Sequence, residues 1–188
     1  TELQETGVTT LEKTEPTTAK PIQPTTPQPT QPTTPKPTEP TTQNPVSTSN
    51  VIAGGEWDFG PVTWEITNDG VLTFAGNHHI QGKTSYIWKD YSHIVTKIVF
   101  KDGITSIPED AFSGMSKLAC VQFGSTVNKI GDSAFANCTA LSSVTMGNSL
   151  RNVSYGAFSG CTSLLSVTIP DTVFEIAGGA FGNSQLET

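Results

Sequence analysis

Residues 118–140 read Leu118-Ala-Cys-Val-Gln-Phe-Gly-Ser-Thr-Val-Asn-Lys-Ile-Gly-Asp-Ser-Ala-Phe-Ala-Asn-Cys-Thr-Ala140. This unit decides the fold, because its apolar positions return every 23 residues. Phe112, Phe135, Phe158 and Phe181 form one column, and Ala111, Ala134, Ala157 and Ala180 precede them. Ile107, Ile130, Val153 and Ile176 form another, as do Ile104, Val127, Leu150 and Val173. Phe100, Phe123, Met146 and Ile169 keep the phase, with Ile98, Val121, Val144 and Val167, and with Val95, Leu118, Leu141 and Leu164. A fixed period in this range marks a solenoid, in which each unit buries its apolar face only against its neighbours. Such an architecture points to binding rather than chemistry.

Within the quoted unit, Val121 and Phe123 alternate with polar residues, which predicts a short strand. Val127 and Ile130 lie on a second extended piece. Asp132-Ser133-Ala134-Phe135-Ala136 has the character of a turn or a single helical turn, with Asp or Ser as its cap. Gly114, Asn137, Gly160 and Asn183 close successive coils. The fourth unit is one residue shorter before Leu186.

Outward from the repeats, the chain divides into three parts. Residues 94–188 hold about four units. Residues 51–93 contain Val62-Thr-Trp-Glu-Ile66, then Asn68-Asp-Gly70, then Val71-Leu-Thr-Phe74. Alternating strands around an Asn-Asp-Gly turn predict a β-hairpin, with the turn residues supplying positive-φ positions. A lone hairpin is marginal in water, and a solenoid has an open apolar end, so the hairpin is expected to cap the first coil. Trp57, Trp64 and Trp88 fall here, and at least two of them should pack under the cap. Residues 1–50 are different. From Pro16 to Pro45 there are ten Pro and ten Thr in 30 residues, and no aromatic residue precedes Trp57. Such a segment cannot bury enough apolar area to offset chain entropy, and it reads as disordered, with an extended reach of about 90 Å. Thr-Pro composition fits an O-glycosylated stalk or a plain linker. The chain lacks an initiator Met, and Leu186-Glu187-Thr188 look like the opening of another repeat, so the sequence reads as part of a longer protein.

The net charge of −7 argues against nucleic acid and anionic membrane surfaces as partners. No apolar run reaches the length of a membrane span. Three cysteines, Cys120, Cys138 and Cys161, cannot all pair within one chain. Cys138 and Cys161 share a column with Met115 and Ser184, which reads as a small packing position holding reduced thiols. Their spacing fits no zinc pattern. His78-His79, with Asp69, Asp90 and His93 nearby in sequence, reads as a polar loop, since adjacent residues on a strand face opposite ways. Glu109-Asp110 and Asp102-Gly103 supply too few convergent oxygens for calcium. The sequence carries no catalytic constellation and implies neither metal nor cofactor. The formal glycosylation sequons at Asn137 and Asn152 read as chance matches.

The repeat resembles the BspA-like class of leucine-rich repeats, of approximate form L-x-x-V-x-I-P-x-x-V-x-x-I-G-x-x-A-F-x-G-C. Leu164 through Ile176 with Gly179-Ala-Phe181, and Val153 through Leu164, carry the likeness. Trp64 through Gly76, with Trp88 and Tyr91, are similar to the β segment that often precedes such repeats in bacterial surface proteins. Met115 in the Cys column, Pro108 after Ile107, and Ala177-Gly178 depart from the pattern. The resemblance implies a leucine-rich-repeat solenoid, mainly β with short helical turns per coil. It also implies an extracellular or cell-wall-associated bacterial location and adhesin-type binding of a host or matrix protein or glycan. The alternative is an accessory or spacer domain of a larger secreted hydrolase.

Alternation then nominates a working face. If Val121 and Phe123 point inward, Lys97, Gln122, Ser143, Thr145, Ser166 and Thr168 point outward. Phe174 joins them as an apolar residue in a column otherwise holding Thr105, Asn128 and Arg151. The expectation is a monomeric, non-catalytic module that meets its partner over several coils.

Overall fold

The computed structural model describes residues 50–56, 61–80 and 86–186. The Thr/Pro-rich stretch through residue 49, Trp57 and residues 187–188 lie outside the described residues.

Ten strands form two sheets. The front sheet contains β1 (Val51–Glu56), β2 (Val62–Thr67), β3 (Val71–Gly76), β4 (Lys97–Phe100), β6 (Cys120–Gln122) and β8 (Ser143–Thr145), in that order. The back sheet contains β5 (Ser106–Ile107), β7 (Lys129–Ile130), β9 (Asn152–Val153) and β10 (Glu175–Ile176), also stacked in chain order. Each of the first three coils contributes one strand to each sheet, and the fourth contributes β10 to the back sheet alone. Pairing between coils is parallel and keeps the sequence period, as in Cys120↔Ser143 and Lys129↔Asn152. The inward residues of both sheets share one core, so the chain is a β-solenoid with coils about 4.8 Å apart.

Phenylalanine fills that core as two spines. Phe112, Phe135, Phe158 and Phe181 stack with centroids 5.2–5.3 Å apart and planes within 15°. Phe74, Phe100 and Phe123 form a second stack at 5.3 Å. The spines meet edge to face, as between Phe123 and Phe135 at 5.7 Å and 81°. Ala111, Ala134, Ala157 and Ala180, which precede the residues of the first spine, are all buried.

The expected helical turn around that Ala-Phe pair does not form. Phe112, Phe135 and Phe158 each donate a backbone N–H to the alanine carbonyl of the next coil, at 2.7–2.8 Å. Two residues later, Gly114, Asn137 and Gly160 donate to Ala136 O, Ser159 O and Gly182 O of the next coil, at 2.7–2.8 Å. An α-helix would bond such donors to carbonyls four residues back, within its own turns. The corner is instead made of tight turns that pass through positive φ twice. The first position is Asp110, Ser133, Gly156 and Gly179, and the second is Gly114, Asn137, Gly160 and Asn183. Ser133 at φ 51° is therefore a left-handed turn residue rather than a helix cap. Among the described residues the one helical segment is a short 3-10 turn, Ile87–Tyr91, ahead of the first coil.

The hairpin turn also differs from expectation. Gly70 alone takes positive φ, while its N–H bonds Thr67 O at 2.9 Å. A type I turn closed by one left-handed glycine needs only that residue. β1 and β3 flank β2 in antiparallel pairing, and β3 pairs parallel with β4. Trp64 and Trp88 are both buried, and Trp88 lies against Phe74 at 4.8 Å and Phe112 at 5.6 Å.

The fourth coil departs most from its phase. Residues 165–170 form no strand, so Ser166 and Thr168 are exposed but lie beyond the last front-sheet strand, β8. Ile176 is 48% exposed, although Ile130 and Val153 in its column are fully buried. β10 is the edge of the back sheet, so Ile176 has a neighbouring coil on one side only.

The cysteine column is a structural one. Cys138 and Cys161 are free and buried, and each Sγ donates to a carbonyl one coil back, Phe112 O and Phe135 O, at 3.2 Å. Burial pushes the Cys138 thiol up to about 12, helped by Cys161, and burial pushes Cys161 to about 11. Both folded values lie above the unfolded thiol value near ~8.5. Their contribution to stability is therefore complete below that pH and lost as pH rises through the folded values. We expect one thiol, the partly exposed Cys120, to react with a disulfide reagent in the native protein at pH 8. The other two should react only on unfolding, and alkaline destabilisation above about pH 9 should be weaker in a C138A/C161A variant. Equal labelling rates for all three thiols would contradict this.

Candidate interaction surface

The front sheet carries the predicted face. Its strands turn Ile98, Phe100 and Val121 into the core, so the alternate residues point out. Parallel register aligns Lys97, Cys120 and Ser143 in one row, and Val99, Gln122 and Thr145 in a second. Four sequence-nominated residues, Lys97, Gln122, Ser143 and Thr145, are therefore brought together. Ser143 and Thr145 are exposed, while Lys97 and Gln122 are partly covered by their neighbours. Ser166 and Thr168 follow beyond the edge of the sheet. Phe174 does not join them. It precedes β10 on the opposite flank, 72% exposed, with its N–H on Arg151 O at 3.1 Å.

The face also extends where the repeat pattern gave no sign of it. Val71 pairs with Lys97 and Thr73 with Val99, so both rows run on to β3, and Glu65 pairs with Thr73, which carries the second row to β2. The signal was present in the alternation of Trp64 and Ile66 with Thr63, Glu65 and Thr67. What the sequence lacked was the parallel pairing of β3 with β4, which links two patterns of different period.

Side-chain bonds stiffen the coil edges beside this face. Asp102 Oδ1 accepts from Ser125 N at 2.6 Å and Ser125 Oγ at 2.9 Å in the next coil. Those bonds hold the exposed carboxyl of Asp102 below its ordinary range. Thr126 Oγ accepts from Gly103 N at 2.7 Å and donates to Ile104 O at 2.8 Å. These contacts tie coil to coil.

The other nominated groups do not converge. His78 and His79 lie in irregular chain after β3, with ring centroids 4.1 Å apart. His93 Nδ1 is 3.0 Å from Asp90 O. Among the described residues no group of three or more His, Cys, Asp or Glu side chains is placed to hold a metal ion. No helix among them is long and apolar enough to cross a membrane.

Comparison with known proteins agrees with this geometry. A leucine-rich repeat protein from Eubacterium ventriosum is 29% identical, with a TM-score of 0.65 over 71% of this chain and 37% of that one. The chain thus spans little more than a third of that relative. A leucine-rich repeat protein from Bacteroides capillosus is 25% identical over 70% of this chain and 98% of that one, with a TM-score of 0.42. A leucine rich cell surface protein from Faecalibacterium prausnitzii is 18% identical over 71% of this chain and 55% of that one, with a TM-score of 0.31. No curated protein matches the sequence. Residues 85–188, more than half of the chain, match the BspA type leucine rich repeat region in six copies, and the chain belongs to that family.

Proposed function

We propose that this chain is a non-catalytic interaction module of a bacterial surface protein, and that it binds an extracellular protein through the outer face of the front sheet. The observation that supports this most is the continuity of that face across six strands. The aligned rows, mostly Thr, Ser, Val, Gln and Lys, repeat from coil to coil over an extended area. An extended face of this kind suits another protein better than a small molecule, which needs a concave site. Repeat proteins commonly bind over several units, with each side chain contributing little. The Thr/Pro-rich residues 1–50 would serve as its stalk or linker.

The test is binding of the 188-residue chain to immobilised extracellular-matrix proteins, beside a variant carrying Lys97→Glu, Gln122→Glu and Thr145→Glu. Saturable binding that the variant loses, with melting unchanged, is the expected result. Equal binding by both forms, or none by either, would overturn the assignment.

A further inference from the structure

We infer that the back sheet carries a second and separate site, a groove for a neutral sugar ring. It faces away from the protein-binding surface proposed above and does not depend on that proposal. A groove of about 330 Å³ runs along the solenoid axis over the last three coils. One wall is the outward row Lys129, Asn152 and Glu175, aligned by β7, β9 and β10. The other is formed by the turn residues Asp132 and Tyr155. Between them the chain takes one step through a small residue, Ser154 or Ala177, which keeps the floor low. The volume lies at the lower end of the range for small-ligand sites, where a few polar groups converge beside an apolar surface.

Tyr155 supplies that surface. Its ring is 66% exposed, although a buried Val153 sits two residues before it. The next coil places Gly179 beside it and puts Gly178 at its own repeat position. A Cβ added at Gly178 would meet nothing within 4 Å, and one added at Gly179 would meet only the Tyr155 ring, at 3.8 Å. The ring is therefore flanked by open space where its own period would otherwise put a side chain. An exposed aromatic ring offers a flat apolar platform with a polar tip. The opposite wall offers mainly acceptors. Asn152 Nδ2 donates to Glu175 Oε2, which ties the two side chains together and leaves their other oxygens to accept. The Asp132 carboxylate adds further acceptors, and Lys129 is the one cation lining the groove.

The complement of a flat apolar platform facing carboxylate and amide oxygens is a ring with an apolar face and hydroxyl donors. A neutral pyranoside has both. Its ring faces carry C–H groups, while its hydroxyls donate around the edge. A coil spacing of about 4.8 Å allows successive rows to meet one ring. An anionic sugar fits worse, because two carboxylates line the groove and the chain carries a net charge of −7.

The experiment is two-dimensional amide NMR of the full chain, titrated to millimolar concentration with hexamers of glucose, N-acetylglucosamine and mannose, and with hexagalacturonate. At least one neutral hexamer should shift the amides of Asn152, Tyr155, Gly178 and Gly179, leaving β4 and β6 unmoved. Tyr155→Ala should weaken that binding at least tenfold, whereas Tyr155→Phe, which keeps the ring, should retain it. The exposed position makes both variants compatible with folding, which the undisturbed remainder of the spectrum would verify. No shift with any neutral hexamer, shifts that survive Tyr155→Ala, or preference for the uronate would each overturn the inference.

Discussion

Phe135→Ala is expected to lower stability by about 3–5 kcal/mol, the range for truncating a fully buried phenylalanine. Phe135 is completely buried between Phe112 at 5.2 Å and Phe158 at 5.3 Å, with Phe123 edge-on at 5.7 Å. Its loss opens a void that neither neighbouring coil can close. Each coil is held at its strand spacing by the ladders on both sheets and by the corner bonds Phe112 N to Ala134 O and Phe135 N to Ala157 O. The cost should depend on position along the stack. Phe181 is only partly buried and stacks on Phe158 from one side, so Phe181→Ala should cost clearly less. Urea unfolding of the two variants against the parent chain tests both statements. Equal midpoints for Phe135→Ala and the parent would show that the Phe column does not carry the core.

Trp88→Ala should have a cost of the same order, about 3–5 kcal/mol, but with a different outcome. Trp88 is fully buried and packs on Phe74 from β3 and Phe112 from the first coil, with Trp64 and Tyr86 beside it. Its indole N–H bonds Ala111 O at 2.9 Å. It thus joins the three N-terminal strands to the repeats from inside the core. Local stability in a solenoid depends on nearest-neighbour interfaces, so the strands on one side of a weakened interface can open first. Amide exchange in β1, β2 and β3 should therefore accelerate far more than in β7 and β9. Trp88→Phe separates the two contributions, since it keeps most of the packing but leaves a buried carbonyl without this donor, at about 1–3 kcal/mol. Uniform acceleration across all strands in Trp88→Ala would mean that the N-terminal strands and the coils open as one unit.

The periodic part of this protein was legible from residue identity alone. In a solenoid each side chain meets the same column one coil away, so Phe112, Phe135 and Phe158 state their own contacts through their spacing. Strand alternation likewise located Lys97, Gln122, Ser143 and Thr145 on one face. The sequence left the Ala-Phe corner open between a turn and a single helical turn, because Asp and Ser ahead of small residues fit both. Which carbonyl receives the Phe135 N–H is settled by the coil stacked above, which local sequence does not contain.

The same physical reason separates the rest. The sequence by itself determined the repeat length, the inward columns and the burial of Cys138 and Cys161, because these follow from nearest-neighbour repetition. Only the tertiary structure decided what depends on non-repeating partners. It joined β3 to β4 and so carried the front face onto the hairpin. It moved Phe174 to the other flank and left Ile176 uncovered. It also set Tyr155 beside Gly179 and gathered Tyr155, Asn152 and Glu175 around one groove, from positions that differ from coil to coil.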